Sequence, residues 1–257
     1  MKVNYAGTVP ISTLDWRGKA AVTIFLQGCP LRCPYCQNHP YLEEPCNIVE
    51  LNFVKEQIKK SKPFVSAVVF SGGEPLMQAA VVPLAEFVKE IGLAIGIHTN
   101  GCYPEMAREL VERKLVDKFF IDIKAPPDNP GLYGKVVGCG EYENVKKTPE
   151  EITASVIKTI EIADSCGLEL ELRTTLIRDF IGTGEEISSI ASWISEHVKN
   201  REVTYVLQQG IPEYSLKEKL RKIRILEKEE LYELGRAAKK FMKEVRIRTE
   251  EVGEEII

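Results

Sequence analysis

Six apolar, largely β-branched runs recur along this chain, each followed by a segment of helical period, and that alternation restricts the folds open to it. The runs are 22–28, 66–73, 93–101, 118–125, 168–177 and 203–210; the helical segments are 50–61, 79–91, 104–114, 148–165, 184–199 and 228–243. Near-continuous apolar strands are buried on both faces, which calls for a parallel sheet covered by helices. The fourth helical segment opens Thr148-Pro149-Glu150-Glu151, with a capping hydroxyl, a proline at the first helical position and acids in the first turn. A closed eight-unit barrel usually needs more chain than these 257 residues. The expected class is therefore α/β, a partial (β/α)6 TIM-like barrel forming one domain over 1–257. A short extension (1–20) would precede it, and a last strand, 245–249, would pair at the sheet edge.

Composition narrows the function classes. A net charge of −4 with both signs interspersed gives no reason to expect nucleic-acid binding. The N-terminus lacks a signal-peptide core, and no apolar run approaches the length of a membrane span. Seven cysteines, an odd number with three bunched, argue for a reducing compartment and a cytoplasmic enzyme. Cys102, Cys139 and Cys166 read as small hydrophobes or loop liners.

The bunched three are Cys29, Cys33 and Cys36, in FLQGCPLRCPYCQN at the end of the first run (cluster loop 28–38). Thiolates are the soft ligands that iron–sulfur clusters select. A [4Fe–4S] cube normally takes four cysteines, so three leave one iron open to a substrate or cofactor. A zinc site, completed by Cys46 or His39, and a disulfide pair are the competing readings. Gly72-Gly73-Glu74 follows the second run, 36 residues after Cys36. Its glycines let the backbone turn and approach a ligand closely; by itself the segment is also an ordinary turn.

Together these motifs resemble the radical S-adenosylmethionine (SAM) superfamily, in which the methionine end of SAM chelates the open iron. The resemblance implies that Cys29, Cys33 and Cys36 hold the [4Fe–4S] cluster. It further implies that Tyr35, Gly72, Gly73 and Glu74 contact SAM, with Glu74 at its ammonium group. His98-Thr99-Asn100-Gly101 and Asp122-Ile123-Lys124 narrow the likeness to the glycyl-radical-enzyme activases. Thr99, Asn100, Asp122 and Lys124 become SAM-site candidates, as does Arg173 on the fifth strand, aimed at the SAM carboxylate. For Arg173 an ion-pair network with Glu169 and Glu171 is the alternative, for Lys124 a snorkelling surface lysine, and for His98 a packed core histidine. Gln208 or Gln209 could reach the adenine.

In pyruvate formate-lyase activase, two aspartates of the matching motifs help hold a monovalent cation. This chain keeps Asp122 but has His98 in the other place. Neutral imidazole suits an alkali cation poorly, so a cation site here would be built differently. STLDWRGKAAVTIFLQGCPLRCPYCQNHP and VRIRTEEVGEEII are most like the activating protein of anaerobic (class III) ribonucleoside-triphosphate reductase. That reductase is then the expected protein substrate, with a low-potential donor such as ferredoxin or flavodoxin. An activase of another glycyl radical enzyme, a radical SAM enzyme acting on a small molecule, and a non-catalytic iron–sulfur carrier are the other readings. The stretch 126–147 holds four glycines and three prolines without clear period, a candidate lid.

Overall fold

The computed structural model describes residues 1–42, 47–200 and 202–257, so Cys46 lies outside the described residues. Ten strands form one sheet in the order β10-β9-β8-β7-β6-β5-β4-β2-β1-β3. The six expected strands are β2 (Ala21–Leu26), β4 (Ala67–Gly72), β5 (Ala94–Thr99), β6 (Lys118–Asp122), β7 (Glu169–Leu176) and β8 (Thr204–Gln209). Each pairs in parallel with the next of the six. The expected helices are α1 (Leu51–Ser61), α2 (Val81–Glu90), α3 (Pro104–Glu112), α5 (Pro149–Ser165), α6 (Gly184–His197) and α7 (Lys228–Lys239). Thr148 and Glu151 form a reciprocal capping box at the start of α5, which satisfies two otherwise orphaned N–H groups.

Several parts differ from the sequence expectation. The 245–249 run is not an edge. As β9 (Glu244–Thr249) it adds a seventh parallel strand beside β8, and β10 (Gly253–Ile256) covers its outer side antiparallel. At the other end, the extension contains β1 (Lys2–Ser12), antiparallel to β2 and to the short β3 (Ile48–Glu50). The 126–147 stretch contains α4 (Pro130–Val137), capped by the Asn129 side chain at its start and by Gly138 at its end.

The turn after β1 enters the N-terminal mouth of the partial barrel. Small residues begin three adjacent strands there, Ala21, Ala67 and Ala94, and they leave room for Trp16, which is 2% exposed. Its ring meets Phe120 edge-on at 5.7 Å. A Cβ on Gly96 would come within 3.0 Å of both rings, so glycine there is a packing requirement. The plug closes one end of the barrel and leaves the strands' C-terminal ends as the open side.

Trp16→Ala should cost about 3–5 kcal/mol, the usual range for emptying a buried aromatic site. Urea unfolding measures it; a loss under about 1 kcal/mol would mean the ring does not seal the barrel.

Candidate active site

The cluster loop is held by its backbone from several sides. Gly73 N–H donates to Leu26 O (2.8 Å) and Glu74 N–H to Gly28 O (2.7 Å). The Gln78 amide, 8% exposed, donates to the carbonyls of Asn4 and Gln27 at 2.9 Å each. Arg32 donates from Nη1 to the carbonyls of Cys29 (2.7 Å) and Leu31 (2.9 Å). A Cβ on Gly73 would sit 2.1 Å from the Gly28 carbonyl oxygen. The Gly-Gly pair therefore serves first the close approach of the cluster loop; both glycines also line the cavity in front of it.

That cavity, about 300 Å³, lies beyond the C-terminal ends of the parallel strands, where α/β sheets bind ligands. Its wall includes Cys29, Cys33, Tyr35 and Cys36, then Gly72 and Gly73 from β4 and the turn after it. It continues through Thr99 and Asn100 at the end of β5, Asp122 and Lys124 around the end of β6, and Arg173 on β7. Eleven of the twelve expected site residues thus surround one space; the exception is Glu74.

Glu74 is fully buried one layer behind that wall. Its carboxylate accepts from Leu76 N (2.9 Å), Thr99 Oγ1 (2.8 Å) and Asn100 N (2.7 Å), joining the turns after β4 and β5. Burial pushes its pKa up to about 7, against the lowering effect of those donors. The Asn100 amide points at Cys29 Sγ at 3.5 Å, and its oxygen accepts from Cys102 N.

On the far wall, Arg173 donates from Nε to Glu171 Oε1 at 2.7 Å, and its Nη1 lies 3.3 Å from His98 Nε2. Its Nη2 is buried without a hydrogen-bond partner. The expected ion pair is present, with Glu171 but not with the exposed Glu169, and it leaves one arginine donor unspent. Burial would raise the Glu171 pKa, yet Arg173, Lys118 and Arg248 bring it down to about 2. Burial, and then Arg173, push His98 down to about 3, so its imidazole is neutral. It is a packed histidine between Ser71 Oγ (3.2 Å) and the Asp15 carbonyl (3.1 Å). Lys124 pairs with Asp122 at 2.9 Å; burial works against its charge, but Asp122 and Tyr35 hold its pKa well above normal. The Tyr35 hydroxyl is a second buried group without a partner.

The radical SAM superfamily model matches residues 23–191 of this chain. The chain belongs to the radical SAM superfamily. It is 35% identical, over 97% of both chains, to a Methanocaldococcus jannaschii protein provisionally named a glycyl-radical enzyme activating enzyme. It is 29% identical over 86% of its length to the pyruvate formate-lyase-activating enzyme of Clostridium pasteurianum, covering 90% of that protein. A radical SAM methyltransferase from Sphaerobacter thermophilus shares the fold at a TM-score of 0.69 and 14% identity, over 91% of this chain and 67% of that one. The family is thus that of the radical SAM glycyl-radical-enzyme activating enzymes, which use a [4Fe–4S] cluster and SAM.

The radical SAM cofactors fit the donors present. Cys29, Cys33 and Cys36 are free thiols. Among the described residues no three His, Cys, Asp or Glu side chains converge as a cage for a single ion. A cube asks for something different, because its thiolates bind separate irons and need not meet at one point. Burial raises all three thiol pKa values, Cys36 to about 12, so loading the cluster must release protons. The orphaned Arg173 Nη2 suits the SAM carboxylate and the orphaned Tyr35 hydroxyl suits a polar edge of the adenine. At the two motif positions Asp122 is paired with Lys124 and His98 abuts an arginine, so this pair makes no ready alkali-cation cradle.

Residues 126–147 do not span this radical SAM cavity, and none of them lines it. They brace the cluster loop instead: Arg32 N–H donates to Val137 O at 3.1 Å, and Tyr133, Val136 and Val137 are fully buried. Gly138, at φ +87°, lies where a Cβ would fall 2.4 Å from the Arg32 carbonyl oxygen. Sequence reasoning also missed Asp15 and Arg248, which line the cavity. The signal for Arg248 was the period-two pair Arg246 and Arg248 on a buried strand; nothing local marked Asp15. Gln208 lines the cavity, whereas Gln209 is spent on Leu226 O and Glu250 N.

Gly138→Ala should leave the helices folded and lower the iron content of anaerobically reconstituted protein at least several-fold, read by iron assay and circular dichroism. Full iron occupancy in the variant would show that the brace does not position the loop.

Proposed function

We propose that this radical SAM enzyme activates anaerobic (class III) ribonucleoside-triphosphate reductase. In this reading Cys29, Cys33 and Cys36 would hold the cluster, which when bound would supply the electron for reductive SAM cleavage and so the means to remove one hydrogen atom from a reductase glycine. The chain's own residues bind, orient and exclude water. Arg173 holds the SAM carboxylate, Lys124 and Asp122 neighbour it, and Tyr35 faces the adenine. Glu74 fixes Gly72, Gly73, Thr99 and Asn100 in their places, ready for the ammonium group. Ferredoxin or flavodoxin is the expected class of electron donor.

The reductase reading is supported by a sequence likeness. The stretch most like the reductase activases, STLDWRGK, is not a loose tail. It drives Trp16 into the barrel and sets Asp15 in the cavity wall, with the Asp15 carboxylate accepting from Thr23 Oγ1 at 2.6 Å. A pyruvate formate-lyase-type partner is the second reading, supported by the Clostridium relative.

Anaerobic incubation with SAM, reductant and either the reductase or pyruvate formate-lyase separates the two by electron paramagnetic resonance. A glycyl doublet only on the reductase is expected; a doublet only on the lyase reverses the assignment. Arg173→Ala should weaken SAM binding roughly 10- to 150-fold with the cluster intact, the loss of one charge-assisted hydrogen bond of about 1.5–3 kcal/mol. Equilibrium dialysis that gives an unchanged dissociation constant would remove Arg173 from the SAM site.

A further inference from the structure

Behind the cluster loop lies a second cavity, of about 380 Å³, that the SAM site does not use. Cys29 and Leu31 line both cavities, so the first part of the loop is a partition with SAM chemistry on one side and this space on the other. The rear space has an apolar floor that includes Pro30 and Met77. Its charged lining groups are Arg32, Lys146 and Lys147, with no carboxylate among the described lining residues. None of the three cations enters an ion pair among the described residues. Arg32 is spent on the Cys29 and Leu31 carbonyls, and Lys147 on the Cys102 carbonyl at 2.8 Å, all neutral acceptors. Lys146 is exposed at the rim.

A redox centre at the mouth of the partial barrel needs an entry for electrons that stays open while the front cavity is filled. The rear space meets that need, since Cys29, Leu31 and Leu42 line both cavities and Cys29 is an expected cluster ligand. An apolar floor with Arg32, Lys146 and Lys147 around it, and no carboxylate among the described lining residues, complements a partner with an apolar contact patch and an acidic rim, and opposite rim charges steer encounter.

We propose that the rear cavity docks the electron donor, a small acidic one-electron carrier protein. One electron leaves the reduced donor and enters the oxidised cluster past Cys29; no bond forms and no proton need move. The proposal rests on the radical SAM reading but not on which glycyl radical enzyme is the partner.

The test compares two reductants in SAM cleavage without any glycyl radical enzyme, following 5′-deoxyadenosine anaerobically. One is a photoreduced acidic ferredoxin, the other dithionite. Lys146→Glu should slow the ferredoxin-driven reaction roughly 10-fold at low salt, the scale of electrostatic steering, and leave the dithionite-driven rate unchanged. Raising the salt should slow the wild type with ferredoxin and narrow the gap between wild type and variant. Lys60→Glu, the same charge reversal on exposed α1, serves as control and should behave as wild type. The proposal is overturned if Lys146→Glu accepts electrons from ferredoxin at the wild-type rate, or if Lys60→Glu slows it equally. It is also overturned if Lys146→Glu is equally slow with dithionite, or if the wild type takes no electrons from the ferredoxin. Failure of dithionite to drive cleavage in the wild type would instead count against the radical SAM reading itself.

Discussion

A contact between two stretches of backbone, with no side chain between them, sets the geometry of the site. The Gly28 carbonyl occupies the space a Gly73 side chain would fill, and Glu74 N–H closes the contact at 2.7 Å. This locks the loop that carries three cysteines to the end of the neighbouring parallel strand. Gly138 repeats the device on the other side of the loop, against the Arg32 carbonyl. The position of the thiols is therefore fixed by missing side chains as much as by present ones, and each such position has little tolerance for even a methyl group.

Around that clamp the charges fall into two layers. Glu74 is buried with three donors and links two strand ends, so it organises the wall without facing the cavity. Glu171 plays the matching part on the far side, drawing in Arg173, Lys118 and Arg248. Each carboxylate is satisfied by the protein, whereas the arginine between Glu171 and the cavity keeps one unpaired N–H group. A buried donor without a partner is costly unless a ligand completes it, and that unpaired group is what supports the proposal that Arg173 meets the SAM carboxylate.

Much of this was legible in the sequence, for physical reasons. Strands such as Ala67–Gly72 are buried on both faces and read as continuous apolar runs. The helices between them carry clear periods, and the three cysteines and the Gly-Gly-Glu turn stand at strand ends where ligands bind. The missed parts have mixed signals. β1 contains Gly7 and Pro10 and two register shifts, so its alternation is broken. α4 holds two glycines in eight residues and reads as loop. Trp16 gave no sign that it would turn inward, since the space for it is made by Ala21, Ala67 and Gly96 on three separate strands. Glu74 matched its motif, but its place behind the wall depends on Thr99 and Asn100, which only the fold brings near.

The central claim is that three thiolates leave one iron for SAM, with the methionine end of SAM turned toward Arg173. Electron–nuclear double resonance on the reduced cluster, with SAM carrying nitrogen-15 in its amino group and oxygen-17 in its carboxylate, tests it most directly. The account predicts hyperfine couplings from both labels in the wild type, and a weakened carboxylate signal in Arg173→Ala at the same SAM concentration. A cluster spectrum that SAM leaves unchanged, with no coupling from either label, would contradict it.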